Sequence, residues 1–133
     1  MNQELYYPAI FTPEEDGRYS VSFPDLPGCN TFGDNLTNAY DMAFDALGIM
    51  LTYFEEEDMP IPPASDPSTF SMEKGQFTAI IRFNFIEYKK KVSNKSIKKT
   101  LSIPEWLNEA ALEANINFSN VLQEALKQQL GIK

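Results

Sequence analysis

Residues 97–130 contain one strand-like stretch and two short helix-like ones, with no second strand for the first to pair with. The stretch "IKKTLSI" (97–103) alternates, with Lys98, Thr100 and Ser102 on one side and Ile97, Lys99, Leu101 and Ile103 on the other. Pro104 follows at a position that suits a first helical turn. Leu107, Ala110, Ala111 and Ala114 form an apolar stripe, "NINF" interrupts it, and Phe118, Val121, Leu122, Ala125, Leu126 and Leu130 form a second stripe. Ser119 is the expected N-cap of that second helix, without a capping box because Leu122 occupies the third position on. A unit of about 35 residues is too small to bury a core alone. A lone strand also leaves two rows of backbone groups unpaired. Both problems disappear if two copies pair their strands antiparallel and close four helices over them, so this segment predicts a homodimer.

The preceding residues follow another pattern. Leu5–Phe11 and Arg18–Phe23 read as strands joined by a turn at Pro13–Gly17, with Tyr19, Val21 and Phe23 on one face. Pro8 places an edge or a bulge in the first strand. "PDLPGC" is a tight connection and "NTFGD" a short third strand. Leu36, Ala39, Tyr40, Ala43, Leu47, Met50, Leu51 and Phe54 recur at helical spacing, with Asp34, Asn35 or Thr37 available as the cap. Gly48 in the helix interior costs about 1 kcal/mol relative to alanine. Met42, Phe44, Ile49 and Tyr53 lie off the main stripe, which fits either deep burial or a second surface for a partner. The acids of "EEED" (55–58) oppose the helix dipole and suggest a frayed end. A proline-rich connection (59–75) then leads to "FTAIIRFNFIEY" (77–88), read as a mostly buried strand, and to "KKKVSNKS" (89–96), read as a linker. The fold class is therefore α+β, with a β-β-β-α-β domain over 1–88, a linker over 89–95 and a β-α-α unit over 96–133.

Composition narrows the chemistry. The 133 residues include no histidine and one cysteine, Cys29. A Ser–His–Asp or Cys–His site cannot be built, nor can a histidine- or cysteine-rich zinc site. One cysteine allows no internal disulfide and fits a reducing, cytoplasmic setting. No apolar run approaches the roughly 18 residues needed to span a bilayer, and the N-terminus lacks the pattern of a signal peptide.

Charge is unevenly spread. Residues 89–133 carry eight lysines against four glutamates, a net +4, whereas the whole chain is −8 and residues 1–88 therefore −12. An acidic part joined to a basic part suggests two roles, with nucleic acid a candidate partner for the second. The run Lys89–Lys91 reads equally well as a solvated linker.

The strand-helix-helix segment, carried by "KKTLSIPEWL", "NEAALEA" and "NFSNVLQEALKQQL", resembles the ribbon-helix-helix family of the Arc and MetJ repressors. The resemblance implies a dimeric two-stranded ribbon in the major groove of operator DNA. By position Lys98, Thr100 and Ser102 would face the bases, and Ser119 and Asn120 would offer backbone N–H groups to a phosphate. The first 88 residues resemble the HicB antitoxin domain through the tyrosine-rich first strand, the Asp16–Gly17 turn, "VSFPDLPGCNTFGD" and a helix with alanines at 39, 43 and 46. That resemblance implies a reduced ribonuclease H-like fold and neutralisation of HicA, a small toxin that cleaves mRNA. It also implies autoregulation of the operon by the DNA-binding part, as a homodimer or a tetramer. No cofactor is implied.

A ribonuclease H site holds metal ions with carboxylates on facing strands. Leu5–Phe11 carries none, and Asp16, Asp25 and Asp34 sit in turns, so the chain reads as a non-enzyme. Residues expected to touch the toxin are Tyr6, Tyr7, Asp25, Cys29, Glu55, Glu56 and Glu57. The competing expectation is a free-standing ribbon-helix-helix regulator whose N-terminal domain binds a small ligand or another protein.

Overall fold

The computed structural model describes residues 3–93 and 95–132. Asn94 in the expected linker and Lys133 at the end of the expected second domain lie outside the described residues, as do residues 1 and 2. The chain forms two compact units, Gln3–Val92 and the residues from Ser93 onward.

The first unit is a four-stranded antiparallel sheet with helices. Its strands are β1 (Glu4–Pro13), β2 (Tyr19–Ser22), β3 (Asn30–Gly33) and β4 (Phe77–Asn84), in the order β3-β2-β1-β4. The helices are α1 (Leu36–Glu56) and α2 (Phe85–Val92). β1 is long because it serves two neighbours in different registers. It pairs with β4 from Glu4 to Phe11 and with β2 only from Ile10 to Pro13. Pro8 lies opposite Ile80, in the half of β1 that has no β2 partner. The Ile80 carbonyl accepts a hydrogen bond from the Tyr40 hydroxyl at 3.3 Å and therefore points away from β1. Pro8 thus sits in a non-hydrogen-bonded pair, and its missing N–H faces a side without a strand. The expected edge at Pro8 is present on one side only.

The core residues of α1 are Ala39, Ala43, Leu47 and Leu51, four residues apart, packed with Phe11, Val21, Ile81 and Phe83. Leu36 and Tyr40 of the expected stripe are exposed at its rim. Small residues let α1 lie close. A Cβ on Gly33 would stand 2.3 Å from the Ala39 backbone nitrogen. Asn35 is the N-cap, accepting from the Asn38 N–H at 2.8 Å. The far end of α1 is not frayed. Asp58 takes a left-handed conformation (φ 52°), its N–H reaches Glu55 O and the Met59 N–H reaches Phe54 O, a Schellman closure.

Two expectations for residues 77–95 are corrected. The strand stops at Asn84, whose side-chain oxygen accepts from the N–H groups of Ile86 (2.9 Å) and Glu87 (3.1 Å) and so starts α2. Lys89–Lys91 are consequently helical, not linker. Lys89 pairs with Glu55 at 3.1 Å, Lys91 pairs with Asp45 at 2.6 Å, and the buried Tyr88 ring packs over Gly48. β4 is also half-exposed, because Ile80 and Arg82 lie on an open face.

The second unit contains α3 (Glu105–Glu113) and α4 (Phe118–Leu130). Asn115 (φ 57°) closes α3 with the same 116→111 and 115→112 bonds of a Schellman turn. The cap of α4 is Asn117, not Ser119. Its side chain accepts from the Asn120 N–H at 3.0 Å, which moves the helix start one residue earlier and puts Ser119 inside the first turn. Residues 95–104 form neither helix nor strand within one chain.

Candidate functional site

Residues facing each other across a sheet share a face, and the register of the first unit sorts them cleanly. Tyr7, Ala9, Phe11, Ile81 and Phe83 lie on the buried face, where the Phe44 ring of α1 approaches Phe83 at 5.5 Å. The opposite face carries Tyr6 beside Arg82, Pro8 beside Ile80, Ile10 between Thr78 and Ser22, and Thr12 in line with Ser20 and Phe32. There Tyr6, Ile80 and Phe32 are exposed, Phe32 by 58%. At one end Arg82 joins Glu4 (2.7 Å) and Glu87 (3.0 Å). At the other a shallow depression of about 770 Å³ is lined by Glu14, Glu15, Asp16, Arg18 and Phe32, among others. The Arg18 guanidinium lies 5.6 Å from the Phe32 ring centre, between Asp16 (3.5 Å) and Asp34 (3.9 Å).

The residues expected to contact a toxin do not form one patch. Tyr6 is exposed on the open face. Tyr7 is buried and donates its hydroxyl to the Pro62 carbonyl, and burial, then the charge of Asp25, pushes its pKa up. Cys29 is 3% exposed, and burial pushes its thiol up to about 11. Neither Tyr7 nor Cys29 presents a side chain to a partner, which corrects the expectation for both. Asp25 braces the proline-rich connection, accepting from the Ser65 N–H (2.9 Å) and hydroxyl (2.5 Å). Glu55 is held by Lys89, while Glu56 and Glu57 are exposed at the end of α1. Sequence reasoning missed Phe32, Ile80 and Arg82. The alternation of β4 carried the signal for the last two, and the short "NTFGD" strand was too brief to declare a face.

In the second unit Lys98, Thr100 and Ser102 are all exposed. So is the apolar side of the unit. Ile97 is 87% exposed and Trp106 69%, while Leu101, Ile103, Phe118, Val121 and Leu130 are also open, and no residue of α3 or α4 is buried. The Asn120 N–H is already taken by Asn117, so of the two expected phosphate donors only Ser119 keeps a free backbone N–H in this first turn. Assigning Lys89–Lys91 to the first unit changes the charge count to −9 for that unit and +1 for the rest.

The family described as "HicB_like antitoxin of bacterial toxin-antitoxin system" matches residues 7–127, nearly the whole chain and across both units. The chain belongs to this HicB-like antitoxin family. Among similar proteins, Antitoxin HicB 1 of Photorhabdus laumondii is 40% identical over 60 residues, 45% of this chain and 39% of that protein. Antitoxin HicB of Escherichia coli K12 is 38% identical over 58 residues, 44% of this chain and 42% of that one. The chain thus spans about two fifths of the length of the curated relatives it matches. Among solved structures, a toxin–antitoxin complex from Streptococcus pneumoniae aligns with a TM-score of 0.59 and 27% identity over 96% of this chain and 99% of that one. The Burkholderia pseudomallei antitoxin HicB aligns over 95% of this chain and 98% of that one with a TM-score of 0.55 and 16% identity, a likeness of fold. No helix among the described residues is long and apolar enough to cross a membrane.

Proposed function

We propose that this HicB-like chain is the antitoxin of a HicA-type pair, its first unit binding and masking an mRNA-cleaving toxin. Membership of the antitoxin family over residues 7–127 carries the reading. The −9 formal charge of the first unit supports it, because a protein that handles RNA is basic where the RNA lies, and opposite charge speeds and orients association. The acids near the strand ends serve structure in this reading: Asp16 accepts from the Arg18 N–H at 3.1 Å and Asp25 holds Ser65. The chain is therefore a binding protein and not a nuclease. Co-expression with the small basic protein encoded next to it is the test. Restored growth and co-purification are expected, and a toxin that neither binds nor is neutralised refutes the assignment.

The second unit is proposed as a ribbon-helix-helix homodimer on operator DNA. Its apolar residues are exposed in a single chain, and about 40 residues without a core call for a partner. Segment 97–103 would pair with its copy, leaving Lys98, Thr100 and Ser102 toward the bases. With only +1 on the unit, affinity would rest on a few placed lysines and hydroxyls more than on bulk charge. Lys98→Ala with Thr100→Ala should abolish the gel shift of the operator while toxin binding stays unchanged. An unaltered shift removes the ribbon from the reading.

A further inference from the structure

We propose that the basic toxin docks on the open face of the β-sheet, around Tyr6, Ile80 and Phe32 and over the acidic β1–β2 turn, and not on the exposed side of α1. This rests on the antitoxin reading above and names the surface within it. A solvated face of an antiparallel sheet alternates toward polar side chains. Here it holds three large exposed apolar residues among Thr12, Thr78 and Ser20, which is the composition of a contact surface.

Charge separates this face from its rival. The outer side of α1 also exposes Ile49 and Tyr53, but two α1 acids, Asp45 and Glu55, are already neutralised by Lys91 and Lys89. By contrast, Glu14 and Glu15 at the rim of the open face have no ion-pair partner among the described residues, and Glu14 accepts only the Ser20 hydroxyl at 2.7 Å. The spot also holds a cation already, since Arg18 lies over the Phe32 ring with Asp16 and Asp34 around it. A second cation brought by a partner would meet the same ring and the two unpaired glutamates. A four-stranded face of this kind offers roughly 500 Å², and the acidic turn extends it toward the roughly 800 Å² that each side of a stable complex buries.

The test uses the full chain and a catalytically inactive form of the HicA-like protein encoded beside it. Phe32→Ala with Tyr6→Ala should weaken binding by at least about thirtyfold. Glu14→Lys with Glu15→Lys, both on exposed residues, should slow association by about tenfold and flatten its salt dependence. Ile49→Asp should leave the affinity within about twofold. Face variants that bind like the wild type, together with loss of binding in Ile49→Asp, overturn the docking surface and leave the antitoxin reading standing. A wild-type chain that does not bind overturns both. Should Phe32→Ala unfold, the charge-reversed pair alone decides, because those side chains support no core.

Discussion

Gly48 lies mid-helix in α1, where alanine is intrinsically better by about 1 kcal/mol. The packing reverses that preference. A Cβ at this position would meet three atoms of the Tyr88 ring at 2.2, 2.4 and 2.5 Å. Ordinary carbon contacts begin near 3.5 Å, so the ring would have to retreat by roughly 1 Å or more. It has little room, because Tyr88 also sits 5.7 Å from the Phe83 ring and 6.0 Å from the Phe44 ring and is 9% exposed. Overpacking of this kind costs about 1–3 kcal/mol, and subtracting the helix gain leaves Gly48→Ala destabilised by up to about 2 kcal/mol. Urea unfolding followed by far-UV circular dichroism measures it. The same change in a Tyr88→Leu background, with the ring gone, should be stabilising by up to about 1 kcal/mol. Gly48→Ala that stabilises the chain with Tyr88 in place would refute the reasoning, since it would mean that α2 does not rest on α1 through this ring.

Asp58 closes α1 in a left-handed conformation that a side chain disfavours, at a helix end that disfavours an acid, so Asp58→Gly should raise stability by about 1 kcal/mol in the same assay. Cys29 holds its proton in the folded state up to about 11, against 9.0 as an ordinary thiol. Above pH 9 the unfolded chain releases that proton first, so stability should fall between pH 9 and 11 in the wild type and fall less in Cys29→Ala. Cys29 should also react with a thiol reagent at pH 8 only as fast as the first unit opens, and rapid labelling of the folded protein would contradict its burial. Trp106, 69% exposed in one chain, should shift its emission to the blue on association, and the melting temperature of the second unit should rise with concentration.

Periodicity made α1 legible because its core residues repeat every four positions, and the three N-terminal strands were legible from their turns. The sequence did not show that β4 ends at Asn84. Phe85, Ile86 and Tyr88 continue the apolar run, and the change of period is made by one side-chain amide that caps a helix. Lys89–Lys91 read as solvated linker because ion pairs between α1 and α2 join residues more than thirty positions apart. The same distance effect hid Gly48, which looks like a flaw in a helix until Tyr88 is placed beside it. In the candidate site, Tyr7 and Cys29 misled because aromatic and thiol side chains serve a core as readily as a surface. Phe32 was overlooked because a four-residue strand gives too few alternations to define a face.

The passage from β4 straight into α2 has a consequence for anyone who grafts this toxin-facing half onto a different DNA-binding tail. A junction after Tyr88 would cut the helix within its second turn and discard Lys89 and Lys91, freeing Glu55 and Asp45 to repel one another along α1. A junction after Val92 keeps the capped helix, both ion pairs and the ring on Gly48. The portable module is therefore Gln3–Val92, and its seam lies beyond the last lysine of the run rather than before the first.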